Sequence, residues 1–236
     1  MNEPIDLVLP TQAVRPAACG AYDLYLPERG APPPVVVLVH GLFPSPPPVS
    51  PRRTPFFGAY ASQLAQRRVA AVMLDHELTG GMRYPEAAAT LDRTLAAVRS
   101  SSLVDGERVA VWCFSGGGPL AYPLLAAGHR WLRCVGLTYP LLPTEEIPGW
   151  PSISDALAGL GDTPVVLTRV EHEIPTFVAG QQALVDARPT GLTTIEVPCA
   201  QHGFDTGPVT EHGQTAVLRA LDALVGHLTA APALTA

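Results

Sequence analysis

Three residues far apart in the chain have the types needed for acyl transfer: a serine at 115, a histidine at 202 and a glutamate at 173. Ser115 stands in "RVAVWCFSGGG", where an apolar run breaks into one hydroxyl and three glycines. Such a run reads as a buried strand meeting a sharp turn, with small residues where the strand and the next helix nearly touch. A serine at the tip of that turn is a candidate nucleophile, and the N–H of Gly116 is placed to stabilise an oxyanion. A serine hydroxyl stays a poor nucleophile until a base takes its proton. His202, in "PCAQHGFD" between the last expected strand and the last helix, is the candidate base. A carboxylate must then orient the imidazole and favour its protonated form. "LTRVEHEIP" offers Glu171 and Glu173, which point to opposite sides of an extended segment, so one of them faces His202. Glu173 is the first choice and Glu171 the second. The second oxyanion donor is expected after the first long strand, in "VVVLVHGLF", where Gly41 permits a sharp turn that aims the N–H of Leu42, or of Phe43, at the site.

These residues need a scaffold that brings strand ends together. The hydrophobic pattern predicts an irregular N-terminal segment with a strand pair near 5–9 and 21–26, followed by strands over 35–39, 69–75, 109–114, 132–139, 164–170 and 192–198. Helical spacing of apolar residues falls at 56–68, 84–101, 117–127, 154–160, 176–187 and 209–228. The all-apolar run Val35 to Val39 fits a strand buried on both faces, and strict alternation with helices predicts a mainly parallel α/β sheet of about seven to eight strands, helices on both faces. Ligand chemistry then belongs at the carboxyl ends of the strands. No repeat or flexible linker interrupts the 236 residues, so a single domain over 1–236 is expected.

Composition narrows the function classes. The formal charge is −6 and all fifteen cationic residues are arginines, scattered singly or in pairs, which argues against a nucleic-acid partner. The N-terminus lacks the pattern of a secretion signal, and no stretch of eighteen apolar residues suggests a membrane span, so a cytoplasmic location is expected. Cys19, Cys113, Cys134 and Cys199 show no metal-ligand spacing and read as free thiols.

The His40-Gly41 dipeptide, "DHELTGGMRYPEAAATLD", "FSGGG" and "HGFD" together resemble the α/β-hydrolase superfamily, most closely its small dienelactone-hydrolase-like and esterase-like members. The resemblance runs from about residue 20 to 230. It implies the α/β-hydrolase fold, a Ser-acid-His triad in that chain order, no metal or organic cofactor, and hydrolysis of a small ester, lactone or related acyl compound. It departs at Cys113, where the family has glycine, at the acid, where the family usually has aspartate, and at the nucleophile Ser115, where dienelactone hydrolases proper have cysteine.

Two loops at strand ends, the Pro-rich 43–55 and the insert 140–158, are expected to border the serine, with Phe43, Tyr139 and Trp150 as candidate substrate walls. Only about 25 residues separate the strands that flank the insert, too few for a large cap domain. The partner expected is a small-molecule acyl substrate. Two rival readings use the same residues: a tailoring thioesterase, amidase or cyclase, and a binding protein on a scaffold without turnover.

Overall fold

The computed structural model describes residues 7–28, 30–145, 149–187 and 191–230. Its strands are β1 (Ala17–Cys19), β2 (Tyr22–Tyr25), β3 (Val35–Val39), β4 (Ala70–Leu74), β5 (Val109–Phe114), β6 (Leu132–Thr138), β7 (Val165–His172) and β8 (Leu192–Gln201). They form one sheet in the order β1-β2-β4-β3-β5-β6-β7-β8. The pairs β1–β2 and β2–β4 are antiparallel, and every other pair is parallel.

Both faces of the sheet are covered, which is why β3, β4 and β5 read as unbroken apolar runs. Alternate side chains go to opposite cores. Val35, Val37, Val39, Val109, Val111 and Cys113 join the cluster under α2 (Tyr84–Arg99), α3 (Ala121–Ala126), α4 (Ile153–Gly159) and α5 (Pro175–Ala187). Val36, Leu38, Ala110, Trp112 and Phe114 join the cluster under α1 (Pro55–Gln66) and α6 (Glu211–Thr229). Each fully buried aliphatic side chain contributes about 1.5–3 kcal/mol. Helix α1 starts where Thr54 accepts the N–H of Phe57 and Pro55 presets the first turn. Helix α6 starts where Thr210 accepts the N–H of Gly213, and it buries Val217, Leu221, Leu224 and Leu228 at helical spacing. No helix among the described residues is long and apolar enough to cross a membrane.

Three elements differ from the sequence expectation. Residues 7–9 are not a strand, and residues 5 and 6 lie outside the described residues; the partner of β2 on the outer edge is instead β1, joined by a tight turn with Gly20 at φ 72°. The helix expected from Gly117 begins as a 3-10 turn over Ser115–Leu120 and becomes α-helical only at Ala121. Pro119 lacks an N–H, and the glycines before it run against other backbone: a Cβ on Gly117 would lie 2.5 Å from the carbonyl of His40, and one on Gly118 2.3 Å from that of Leu141. Strand β8 continues three residues beyond Pro198, to Gln201.

Helix α5 shows how closely these elements are fitted. At Gly180 its backbone lies on residue 142, where a Cβ would stand 1.7 Å from the carbonyl oxygen of Leu142. Gly180→Ala should therefore displace α5 and destabilise the protein by about 2–3 kcal/mol, read as a lower urea midpoint at unchanged m-value.

Candidate active site

Parallel register brings the distant residues together. Val39 pairs with Cys113, so the next two steps along each strand set Gly41 beside Ser115. A Cβ on Gly41 would be 3.0 Å from that of Ser115 and 3.2 Å from the carbonyl of Phe114, so a larger residue there would press on the serine turn. The chain leaves β3 and β5 towards opposite ends of the sheet, and open α/β sheets bind ligands at the carboxyl ends of strands at such a switch point. Ser115 stands there, half-buried, with φ at 49°. Its carbonyl accepts the N–H of Leu141, and the carbonyl of Gly116 accepts the hydroxyl of Tyr84 at 2.9 Å, so both peptide groups of the turn are pinned.

On the other side of the site, β7 advances two residues from Val170 to His172 while β8 advances four from Val197 to Gln201. The surplus is a bulge at Pro198, Cys199 and Ala200, with Cys199 at φ 56°. Pro198 cannot donate to the ladder, which favours the break. The bulge lets His172 pair with Gln201, so that Glu173 meets His202 one residue later. Glu171 instead braces the strand: its Oε2 accepts the N–H of Cys199 at 2.7 Å and holds the bulge.

Ser115 Oγ is 2.8 Å from His202 Nε2, and His202 Nδ1 is 2.7 Å from Glu173 Oε1. Burial raises the Glu173 pKa, but hydrogen bonds from His202, from Gln181 and from the N–H of Ile174 outweigh it and leave the pKa below the usual value. Glu173 is thus a carboxylate at neutral pH, with its side chain 2% exposed against 21% for His202. An ionised carboxylate only accepts, so Nδ1 carries the imidazole proton and Nε2 is free to accept the Ser115 hydroxyl. Gln181, itself buried, donates to Glu173 Oε2 and to the carbonyl of Pro140, both at 3.1 Å, and fixes the carboxylate from behind.

Two N–H groups flank the serine without donating a hydrogen bond among the described residues: those of Gly116 and Leu42. A Cβ on Gly116 would lie 2.9 Å from the Leu42 nitrogen, so the two donors are neighbours. The N–H of Phe43 is spent on the carbonyl of Leu78, which removes it as the alternative donor.

The loop that carries Leu42 rests on two buried imidazoles. His40 and His76 stack with ring centroids 3.5 Å apart, inclined by 10°. His40 Nδ1–H donates to the carbonyl of Gly41 at 2.7 Å, leaving Nε2 to accept the N–H of His76 at 3.4 Å. His76 Nε2–H donates to the carbonyl of His40 at 3.2 Å, leaving Nδ1 to accept the N–H of Leu78 at 3.4 Å. Every ring nitrogen has a role only while both rings are neutral. Burial does keep them neutral: it pushes His40 down to about 4, against the pull of Gly41 and Asp75, and His76 well below its ordinary value.

No family model matches the sequence, and no curated protein matches it. Solved structures do. An esterase from Pyrobaculum calidifontis superposes with a TM-score of 0.69 at 20% identity, covering 94% of this chain and 87% of that one. An esterase from Thermogutta terrifontis gives 0.67 at 14% identity over 91% and 90% of the two chains. A bacterial heroin esterase gives 0.70 at 17% identity over 89% and 80%. The chain has the α/β-hydrolase fold.

Within this α/β-hydrolase fold the remaining candidates fall into place. Tyr139 is no substrate wall: it is 4% exposed, and its hydroxyl turns inward to Asp205 while its ring lies 4.6 Å from that of His202. Trp150, half-buried, donates from Nε1 to the carbonyl of Pro119 and lies 6.2 Å from Tyr84. Phe43, also half-buried, meets His40 edge-on at 5.5 Å. Cys113, where a glycine is usual, is fully buried in the core with its thiol pushed up to about 12, so it is inert. Asp75 accepts the Ser50 hydroxyl and ion-pairs with Arg52, tying the Pro-rich loop to β4. Arg52 and Arg53 line a cavity of about 620 Å³ between residues 7–16, β2 and the start of α1, which none of Ser115, His202 and Glu173 lines. The segment between β6 and β7 carries the short helix α4. Sequence reasoning missed Gln181, Tyr84 and Phe177, whose ring meets His202 at 5.0 Å; nothing in the local pattern marks them. It also left Asp205 unassigned, although "HGFD" displays it.

Two buried groups of the site titrate in opposite senses. The folded pKa of His40 lies below its ordinary 6.5, so it contributes stability that is full above pH 6.5 and lost as pH falls towards 4. Burial raises the Asp205 carboxyl from 3.8 to about 6, so acidification from pH 6 towards 3.8 relieves a cost. Each amounts to on the order of 3 kcal/mol. Urea melts at pH 6.5, 5.5 and 4.5 should therefore show a shallower loss of stability in the wild type than in Asp205→Asn, which keeps the declines from His40, His76 and Glu173 without that relief.

Proposed function

We propose that the protein is a serine hydrolase that cleaves small carboxylic esters or lactones. The observation that carries this reading is the continuous chain from Ser115 Oγ through His202 to an ionised Glu173, with two uncommitted N–H groups at the serine. The name esterase borne by several structures of the same fold supports it. So does the short β6–β7 connection, too short to carry a large cap domain over the serine.

In this mechanism Ser115 Oγ attacks the acyl carbon as its proton passes to His202 Nε2. Glu173 stabilises the imidazolium so formed, and the N–H groups of Leu42 and Gly116 bind the oxyanion. The imidazolium then protonates the departing alcohol oxygen, leaving an acyl group on Ser115. Water, deprotonated by His202, attacks that ester by the same path; the acid leaves and Ser115 recovers its proton. The departures at Cys113 and at the acid do not oppose this chemistry: Cys113 is part of the core, and Glu173 meets His202 at 2.7 Å despite its extra methylene.

Turnover of p-nitrophenyl acetate and butyrate, with an acyl thioester and a simple lactone alongside, tests the reading. Ser115→Ala should lose at least about 10³-fold in kcat/KM on the ester, and Glu173→Gln about 10²–10⁴-fold, because the amide no longer holds the required tautomer. Glu171→Gln keeps an acceptor for the Cys199 N–H and should stay within about threefold. Turnover confined to thioesters would replace the esterase reading with a tailoring enzyme, and ester turnover that survives Ser115→Ala would overturn the nucleophile.

A further inference from the structure

Asp205 lies on a 3-10 turn, Phe204–Thr206, three residues after His202, and has no exposed surface. Its two carboxylate oxygens are each taken by a tyrosine: Oδ1 accepts the hydroxyl of Tyr139 at 2.6 Å, and Oδ2 that of Tyr60 at 2.7 Å. Tyr60 comes from α1 and Tyr139 from the end of β6, so one side chain links three elements. The Tyr139 ring is held between this bond and the imidazole of His202, with its backbone at φ 37° and its N–H on the carbonyl of Thr168. The groups that bear on the carboxylate are Tyr60, Tyr139 and its own N–H as donors, and His202 as the cation; Glu173 acts on Tyr139 in turn. Packing alone does not call for an ionisable group at such a place, since an apolar side chain of similar volume is usually at least as stabilising as a buried charge. Buried titratable groups gather where a site uses them.

We propose that Asp205 is a positioning residue for the base: through Tyr139 it fixes the orientation of the His202 imidazole, and its charge supplements that of Glu173 when the imidazolium forms. The inference rests on His202 being the general base. Tyr139 is then a strut whose hydroxyl, not its apolar face, matters to the reaction. Tyr60 holds the other oxygen and keeps the carboxylate from turning away.

The test uses a readout that needs no substrate. The full-length protein, labelled on histidine, is titrated by NMR, with the His202 ring signals assigned by their absence from His202→Gln. Asp205→Asn removes a nearby negative charge and should lower the pKa of His202 by about half a unit or more. Tyr139→Phe keeps the ring and removes one O–H donor, so Asp205 takes up its proton at higher pH; the shift of His202 should have the same sign and be smaller. With p-nitrophenyl acetate, both variants should lose about tenfold in kcat with KM within about twofold, and the acid limb of kcat/KM should move to lower pH. An unchanged His202 pKa in both variants would overturn the proposal, even if the melting temperature fell, because Asp205 would then be a structural brace only. Should Asp205→Asn fail to fold, the Tyr139→Phe titration decides alone. An absence of ester turnover in the wild type would count against the esterase reading, while the titration would still report on Asp205.

Discussion

The backbone of Ser115, a residue with a Cβ, is held at a φ of 49°. A left-handed conformation costs such a residue about 1–3 kcal/mol, and it persists only where the surroundings impose it. They do so from three directions. The β3–β5 register sets Gly41 against the serine, the N–H of Leu141 holds its carbonyl, and the hydroxyl of Tyr84 holds the carbonyl of Gly116. The three glycines after the serine follow from the same constraint, because the chain leaves the turn in contact with the backbone of residues 39–42 and 141. What the constraint yields is a hydroxyl lifted clear of the sheet and an N–H at Gly116 with no helical partner.

Around that turn the protein places ionisable groups where water is scarce and satisfies each differently. Glu173 is kept charged by three hydrogen bonds that outweigh its burial. His40 and His76 are kept neutral, and their opposite tautomers knit the loop carrying Leu42 to the loop after β4. Asp205 lies between these cases, its carboxyl shifted upward by burial and restrained by two tyrosine hydroxyls. The local field at His202 thus depends on side chains from α1, β6, α5 and the loop after β8, none of which adjoins it in sequence except the last.

Most of this framework is legible in the sequence for a simple reason: a strand buried on both faces must be continuously apolar, and Val35–Val39 and Val109–Phe114 are. The break of the second run into Ser115 and glycines then locates the turn. The choice between Glu171 and Glu173 is less accessible, because alternation says only that they diverge. What separates them is the bulge at Pro198, which shifts β8 against β7 and is a pairing property rather than a local one. Tyr139 illustrates the opposite failure. An aromatic residue at a strand end reads as a pocket wall, yet its hydroxyl finds a carboxylate 66 positions away, and that partner turns it inward. Gln181 was invisible for the same reason, since its two acceptors come from separate loops.

That Ser115 is a nucleophile activated by its contact with His202 can be tested without knowing the substrate. Wild type, Ser115→Ala and His202→Gln would each be exposed to a fluorophosphonate probe and weighed intact by mass spectrometry. One adduct is expected on the wild type, none on Ser115→Ala, and labelling of His202→Gln slowed by orders of magnitude. An adduct that forms equally fast on His202→Gln, or that persists in Ser115→Ala, would contradict that role for Ser115.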